Sequence, residues 1–259
     1  MGGRDGGAGV NWFEESFGER YLRLYAHRDR EEARRAIDTL FPAHTLAGRR
    51  VLDLACGPGR YLRVLYERGA RAVGIDLSPV LLAEAARVFE ALDSVPRLVR
   101  GDMRRLPFAD RCFESTLSMF TSFGYFESFD AHAELAREMA RVTSAVIVLD
   151  VPNPVVLRRD LVPRSERRAD DMRVVERRRV DDDPPRVVKT IELSAPDGDE
   201  VVERYEERVM LFGVDELTSM FSEAGFALED LTGDYDGAPF DLESSGRSIL
   251  RLRRSGRSS

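Results

Sequence analysis

Short apolar runs alternate with amphipathic segments between residues 50 and 150, and this alternation constrains the fold more than any other feature of the sequence. The apolar runs predict five strands, over residues 50–55, 72–76, 97–100, 113–118 and 145–150. The segments between them predict helices over residues 61–68, 80–92 and 131–142. Strands that alternate with helices of this length build βαβ units, and right-handed crossovers then give a doubly wound parallel sheet.

The second half of the sequence interrupts this pattern and then returns to it. Between Pro152 and Met210, turn residues separate three strand-forming runs, over 172–180, 186–194 and 201–210. These runs predict a small inserted antiparallel sheet of three strands. A helix over 214–224 and strands over 226–231 and 248–252 follow. The predicted fold class is α/β, a doubly wound, mostly parallel seven-stranded sheet with this insertion.

The charge and the termini limit the partners of the chain. Its 259 residues carry a net charge of −7, which argues against nucleic acid because phosphate binding needs a basic surface. Arginine supplies all the basic residues except Lys189, and the densest arginine stretch, 158–179, is interleaved with acids and predicts an ion-paired surface. No apolar run reaches the roughly 20 residues of a membrane span, and residues 1–9 lack the apolar core of a signal peptide. We therefore expect a cytoplasmic protein that contacts no membrane.

Two cysteines, Cys56 and Cys112, are too far apart in sequence to suggest a zinc site or a disulfide framework. We therefore expect no metal. Cys56 has no basic neighbour that would activate its thiol, which favours a packing role over a nucleophilic one.

The chemistry concentrates where the first predicted strand enters a turn containing Ala55, Cys56, Gly57 and Gly59. Such a turn, followed by a helix, lets backbone amides approach a polar ligand closely. A dinucleotide site would need a third small residue three positions after Gly59, where this chain has Leu62. Leucine is too large for the close approach of helix and strand, so the sequence disfavours a site for the pyrophosphate of a dinucleotide.

Two acids refine this interpretation of the turn. Asp53, just before the turn, would repel phosphate and suits a cationic ligand. Asp76, at the end of the second strand, is placed to accept hydrogen bonds from ribose hydroxyls. A site for ribose and positive charge without phosphate indicates S-adenosylmethionine.

Three segments in this order, 51–60, 72–79 and 101–108, resemble the motifs of the class I S-adenosylmethionine-dependent methyltransferases. Ala55 stands where glycine is commonest in that family, a replacement expected to be harmless because alanine is small. The resemblance implies that Asp76 binds the ribose, Leu77 packs on the adenine, and Asp102 and the Met103 amide hydrogen-bond the adenine. It places Met119 and Phe120 at the methionine end of the cofactor, and it suggests Tyr21, from an N-terminal lid helix, as a further contact.

The acceptor side is less defined. Residues 121–126 contain aromatic rings that could line an acceptor pocket or belong to the core, and both readings stay open. His27 and Tyr125 are the weak candidates for a catalytic group, whereas His132 is expected on a helix exterior. Family members that modify adenine or amides carry Asn or Asp followed by two prolines and an aromatic after the fourth strand. This sequence does not, and Asn153 followed by Pro154 lies after the fifth strand instead.

The glycine content of the first residues, the helical spacing that follows them and the resemblance together predict the domain organisation. A disordered lead-in (1–9) precedes an N-terminal helical lid (10–44) and a cofactor-binding core (45–157). The insertion (158–210) resembles the lids that cover small substrates, and the core resumes over 211–253 before a tail (254–259). The implied function is methyl transfer to nitrogen or oxygen of a small molecule. A methyltransferase acting on nucleic acid or protein, or a non-catalytic S-adenosylmethionine-binding module, are the alternatives.

Overall fold

A computed structural model describes Gly18, Leu22 and residues 30–42, 45–90, 95–169, 172–196 and 201–256 of the chain. The strands, in chain order, are β1 (Arg50–Leu54), β2 (Arg71–Asp76), β3 (Arg97–Arg100), β4 (Phe113–Ser118), β5 (Thr143–Pro152), β6 (Arg164–Ala169), β7 (Met172–Asp182), β8 (Pro185–Ser194), β9 (Val201–Met210), β10 (Phe226–Thr232) and β11 (Arg247–Arg254). The helices are α1 (Arg30–Leu40), α2 (Arg60–Glu67), α3 (Pro79–Glu90), α4 (Phe129–Val142), α5 (Pro154–Asp160) and α6 (Val214–Glu223). Within these ranges, no helix is long and apolar enough to cross a membrane.

Seven strands form the central sheet, in the order β10-β11-β5-β4-β1-β2-β3. The pairs from β5 to β3 are all parallel, and β11 runs antiparallel between β5 and β10. The predicted doubly wound, mostly parallel sheet is confirmed. Because β1, β2, β3 and β4 are parallel, their carboxyl ends meet at one edge of the sheet, where ligands bind in folds of this kind.

Two apolar layers hold the helices against the sheet. On one face, α4 and α6 pack through side chains such as Met139 and Phe221. On the other face, α1 and α2 pack through Ile37 and Leu65. These side chains are almost fully excluded from water, so each contributes about 1.5–3 kcal/mol of burial free energy.

The insertion is a separate antiparallel sheet of four strands, in the order β6-β7-β8-β9, where the sequence predicted three. The missed strand, β6, has the sequence Arg-Ser-Glu-Arg-Arg-Ala, so neither of its faces is apolar and it shows no hydrophobic alternation. Its charges are paired across strands, as where Arg173 of β7 donates to Glu166 at 2.7 Å. The lone lysine, Lys189 of β8, pairs with Glu207 of β9 at 2.5 Å.

The insertion packs directly on the segment that follows β4. A Cβ added to Gly124 would lie 2.6 Å from the Val209 Cγ1 atom of β9, so only glycine fits this contact. Arg186 also donates to the carboxylate and the backbone carbonyl of Glu127. The inserted sheet is therefore anchored next to the carboxyl edge of the central sheet.

Helix α1 joins two regions of that same edge. Glu32 accepts a hydrogen bond from Arg60 of α2 at 2.6 Å. Thr39 donates to the carbonyl of Tyr235, in the loop before β11, at 2.9 Å. Of the predicted N-terminal segment, α1, Gly18 and Leu22 are described. Residues 1–9, Tyr21 and His27 lie outside the described residues.

Candidate functional site

The turn between β1 and α2 consists largely of residues with left-handed backbone. Ala55, Gly57 and Gly59 have φ angles of 55°, 55° and 80°. A Cβ added to Gly59 would also lie 3.1 Å from the Ala85 Cβ atom of α3, so glycine is needed there for two reasons. Ala55 is small, as predicted, but alanine in this conformation carries a backbone strain that size alone does not reveal.

Asp76 organises this turn from the end of β2. Its Oδ2 atom accepts the Gly57 amide proton at 2.8 Å, and its Oδ1 atom accepts that of Ser78 at 2.8 Å. Burial raises the pKa of Asp76 above its ordinary value. Because a carboxylate oxygen can accept two hydrogen bonds, each oxygen keeps capacity for a ligand hydroxyl.

Asp102 follows β3 and is held by its neighbour Arg104. The Arg104 amide donates to Asp102 at 2.8 Å, and the guanidinium reaches the carboxylate at 2.5 Å. Partial burial opposes ionisation of Asp102, but these hydrogen bonds outweigh it and leave the pKa of Asp102 below its ordinary value. The carboxylate is therefore ionised and about one-third exposed, so it can still accept a hydrogen bond.

A cavity of about 580 Å³ opens along this edge of the sheet. It brings together predicted residues from four separate segments: Ala55, Gly57, Asp76, Leu77, Asp102, Met103, Met119, Phe120 and Tyr125. A second cavity of about 400 Å³ contains Asp53, Cys56 and Gly59. The two cavities share Ala55, Gly57, Met119 and Phe120 in their walls, so they are contiguous parts of one site.

Asp53 is the unusual group of the second cavity. Its side chain is only 2% exposed, and its Oδ2 atom has no hydrogen-bond partner. Burial raises the pKa of Asp53 to about 7. An unpartnered buried carboxylate beside a cavity is satisfied by a cationic group, which fits the sulfonium and ammonium of S-adenosylmethionine.

Cys56 behaves as a packing residue. Its Sγ atom lies against β2, where a Cβ added to Gly74 would be 2.7 Å away. Burial raises the pKa of the Cys56 thiol well above its ordinary value, so the thiol stays protonated and unreactive. Among the described residues, no group of three or more His, Cys, Asp or Glu side chains is arranged to hold a metal ion.

The aromatic segment after β4 divides between core and cavity. Phe123 is fully buried in the core, whereas Tyr125 and Phe126 line the larger cavity. The prediction for His132 is wrong, because its side chain is fully buried on the inner face of α4. Its Nδ1 atom donates to the Ser128 carbonyl at 2.7 Å, and its Nε2 atom accepts the Phe126 amide proton at 3.4 Å. Burial lowers the pKa of His132 to about 4, so the ring is neutral and fixes the fold of this segment.

Sequence reasoning missed a buried polar network behind Phe120. Asp150, at the end of β5, accepts hydrogen bonds from the Phe120 amide at 2.7 Å, from the Tyr235 hydroxyl at 2.5 Å and from the Arg247 guanidinium. The available signal was a single acid closing an apolar strand, the same pattern that identified Asp53 and Asp76. Tyr235 reaches Asp150 from the loop between β10 and β11.

The short helix α5 was also missed. Asn153 accepts the Val155 amide proton at 3.1 Å and caps this helix, and Pro154 occupies its first turn. The Asn153 amide group donates to the carbonyls of Leu242 and Ser245, each at 2.8 Å. Asn153 thus ties the end of β5 to the loop before β11, which agrees with its exclusion as a substitute for the family's acceptor motif.

Part of the chain is similar in sequence to known methyltransferases. Residues 51–145 match the methyltransferase-domain family. The demethylmenaquinone methyltransferase of Thermus thermophilus is 37% identical over 126 residues, which are 47% of this chain and 54% of that enzyme. The match thus spans about half the length of that relative.

Solved structures resemble the chain over most of its length. The CcbJ methyltransferase of Streptomyces caelestis superposes with a TM-score of 0.79 at 18% identity, covering 93% of this chain and 98% of CcbJ. CalS10 of Micromonospora echinaspora, an amino pentose methyltransferase solved with S-adenosylmethionine bound, gives a TM-score of 0.66 at 20% identity, covering 92% of this chain and 97% of CalS10.

The sheet order, the glycine-rich turn and the acids at successive strand ends are those of the class I, Rossmann-like methyltransferase fold. Over residues 51–145, the part that the family model matches, the chain is similar to the methyltransferase domain of that family.

Proposed function

We propose that the protein transfers a methyl group from S-adenosylmethionine to a nitrogen or oxygen atom of a small molecule. One observation carries this proposal: Asp53, Asp76 and Asp102, at the ends of β1, β2 and β3, all line one pair of contiguous cavities. Each acid supplies a different recognition element. The Asp53 carboxylate attracts the positive charge of the cofactor, and the Asp76 carboxylate accepts hydrogen bonds from the two ribose hydroxyls. The Asp102 carboxylate accepts a hydrogen bond from the adenine amino group.

The remaining contacts follow from the lining of the cavities. Leu77 and Met103 line the larger cavity, where we propose that they flank the adenine and that the Met103 amide donates to a ring nitrogen. The turn formed by Ala55, Cys56, Gly57 and Gly59 leaves room for the ribose and the amino-acid portion to approach the backbone. Met119 and Phe120 lie where the two cavities join, which suits the methyl-bearing end of the cofactor. Tyr21 remains a proposed contact from the N-terminal segment.

When bound, S-adenosylmethionine supplies a methyl group on a positively charged sulfur. The protein's own residues contribute orientation and the exclusion of water. Holding an acceptor in line with the methyl carbon supplies much of the rate acceleration of such a reaction, so no covalent assistance is required. A general base is needed only if the acceptor must lose a proton during attack, and Tyr125 and His27 are the candidates.

The acceptor would enter from the side covered by the inserted sheet. That sheet packs against the segment containing Tyr125 and Phe126, whose rings can surround an apolar or cationic small molecule. We propose that the insertion and the N-terminal helical segment act as lids over this end of the site. The net charge of −7 favours a small acceptor over nucleic acid. We also propose that the protein acts in the cytoplasm.

The first test of this function is ligand binding. S-adenosylhomocysteine at about 100 times its dissociation constant should add about 2.7 kcal/mol to the free energy of unfolding. For a chain of this size, that corresponds to a rise in melting temperature of about 5 °C. The Asp76→Ala variant should lose the shift, whereas Asp230→Ala, an exposed acid of the edge strand β10, should keep it.

Turnover is tested separately, by measuring S-adenosylhomocysteine formation from S-adenosylmethionine with a panel of small amines, phenols and carboxylates. Formation that depends on one acceptor supports the proposal. The absence of any thermal shift at millimolar ligand would contradict cofactor binding. Binding without turnover on a broad panel would favour the non-catalytic alternative.

A further inference from the structure

The Asp150 carboxylate lies directly behind the turn that joins β4 to the acceptor side of the site. Asp150 is fully buried, and it is bonded to the Tyr235 hydroxyl and to the Arg247 guanidinium. We call Asp150, Tyr235 and Arg247 the Asp150 network. None of the three lines either cavity, so the network lies behind the cavity walls.

The turn in front of this network has an unfavourable backbone. Phe120 and Thr121 are consecutive residues with φ angles of 55° and 71°, in the left-handed region that side-chain-bearing residues avoid. Such strain persists only where the surrounding structure imposes it, and it is concentrated at functional sites.

Asp150 imposes the conformation through both its side chain and its backbone. Its carboxylate accepts the Phe120 amide proton at 2.7 Å, and its carbonyl accepts the Thr121 amide proton at 2.9 Å. Arg247 adds a contact to the Thr121 hydroxyl at 3.3 Å. The two strained residues are therefore bound at consecutive amides by one residue of the neighbouring strand.

The ring of Phe120 is the feature that this turn positions. Phe120 belongs to the walls of both cavities and so stands at their junction. The Arg247 guanidinium lies 5.5 Å from the centre of the ring, and the Arg60 guanidinium lies 5.3 Å from it. A small change in the backbone of residue 120 would therefore move a ring that both parts of the site share.

We propose that Asp150, supported by Tyr235 and Arg247, is a positioning residue that holds the Phe120–Thr121 turn in its left-handed conformation. By doing so, Asp150 shapes the junction of the two cavities, where the methyl-bearing end of the cofactor lies. This inference rests on the proposed function. It assigns to a buried network outside the cavities a role in the affinity for the cofactor.

The test begins with the Asp150→Asn variant, titrated with S-adenosylhomocysteine by calorimetry. Asparagine keeps the shape, but its NH2 group cannot accept a hydrogen bond. At the Oδ1 position this group loses the bond from Arg247, and at the Oδ2 position it loses the bonds from the Phe120 amide and the Tyr235 hydroxyl. We expect affinity to fall at least tenfold. Hydrogen–deuterium exchange of the peptide covering residues 119–124 should become faster in the ligand-free variant.

A second substitution separates positioning from a general effect on stability. Glycine adopts the left-handed region without strain, so Thr121→Gly in the Asp150→Asn background should restore at least half of the lost binding free energy. Arg111→Gly is the matched control, because Arg111 also has a positive φ angle, of 53°, but lies before β4 and away from the network. It should relieve comparable strain without restoring affinity.

Tyr235→Phe is the second variant to test if Asp150→Asn does not fold. It removes one hydrogen bond to Asp150 and leaves the ion pair of Asp150 with Arg247 intact. We expect it to weaken binding three- to tenfold. Wild-type affinity in a folded Asp150→Asn or Tyr235→Phe protein, or equal rescue by Arg111→Gly, would overturn this inference alone. Absence of binding by the wild type would overturn the proposed function, and the inference with it.

Discussion

Asp53 should make cofactor binding depend on pH in the neutral range. Burial raises the pKa of its carboxyl to about 7, and one of its oxygens has no partner within the protein. If the cationic end of S-adenosylmethionine binds only the ionised form, affinity follows the ionised fraction of Asp53. That fraction is about one in eleven at pH 6 and about ten in eleven at pH 8 for a pKa near 7. The dissociation constant should therefore fall about tenfold over this interval, a gain of about 1.4 kcal/mol.

The same carboxyl should affect the ligand-free protein in the opposite direction. Its pKa is raised on folding, so the folded state binds more protons than the unfolded state between about pH 4 and pH 7. Its contribution to stability is complete near pH 4 and is lost as the pH rises toward 7, by up to about 4 kcal/mol. Binding of the cation compensates for a charge that folding alone disfavours.

Calorimetric titrations at pH 6, 7 and 8 would measure this effect, with Asp53→Asn as the matched variant. The variant should bind more weakly at pH 8 and show a much smaller pH dependence. Adenosine serves as the ligand control, because it reaches Asp76 but lacks the charged end. Subtracting its pH dependence removes the contribution of Asp76, whose pKa is also raised by burial. An Asp53→Asn variant that keeps the full pH dependence would refute the reasoning.

Three further predictions concern the site and its surroundings. Asp76→Asn should weaken S-adenosylhomocysteine binding by about 3 kcal/mol or more, because the two ribose hydroxyls lose a charged acceptor. In calorimetry, an analogue that lacks both ribose hydroxyls should bind the variant and the wild type nearly equally. When the pH falls from 6.5 to 4, the wild type should lose about 3 kcal/mol of unfolding free energy relative to His132→Gln. The reason is that the histidine gains a proton in the unfolded state, whereas the buried ring of the folded state does not. Urea titrations in which the two proteins lose stability equally would contradict this. Gly59→Ala should lower stability by about 1–2 kcal/mol and also weaken cofactor binding, whereas Gly225→Ala, with a φ angle of 84° and no atom within 4 Å of the added Cβ, should lower stability alone.

The sequence could predict the central sheet because β1, β2 and β5 contain apolar runs that stand between amphipathic helical segments. Buried parallel strands must be apolar on both faces, so they stand out against the charged helices between them. The acids at the ends of β1 and β2 were visible for the same reason, since each closes such a run. By contrast, β6 pairs through charged side chains and carries no apolar face that a pattern could detect.

The errors at the site have two different causes. His132 shares a helix face with Leu135, Ala136 and Met139, so its burial was available from the spacing, but its polar side chain suggested an exterior position. The network at Asp150 had no local signal beyond its strand end. Tyr235 and Arg247 are 85 and 97 residues away in sequence, and only the folded sheet brings them together.

The ion pair of Lys189 with Glu207 places the only lysine of the sequence in the middle of the inserted sheet. Every other side-chain cation is a guanidinium, which amine-directed reagents do not modify. An amine-reactive fluorophore or isotope label would therefore attach to side chains at one position, within the element proposed to cover the acceptor. Lys189 is thus a natural labelling site, through which opening of the insertion could be followed by spectroscopy without any substitution in the sequence.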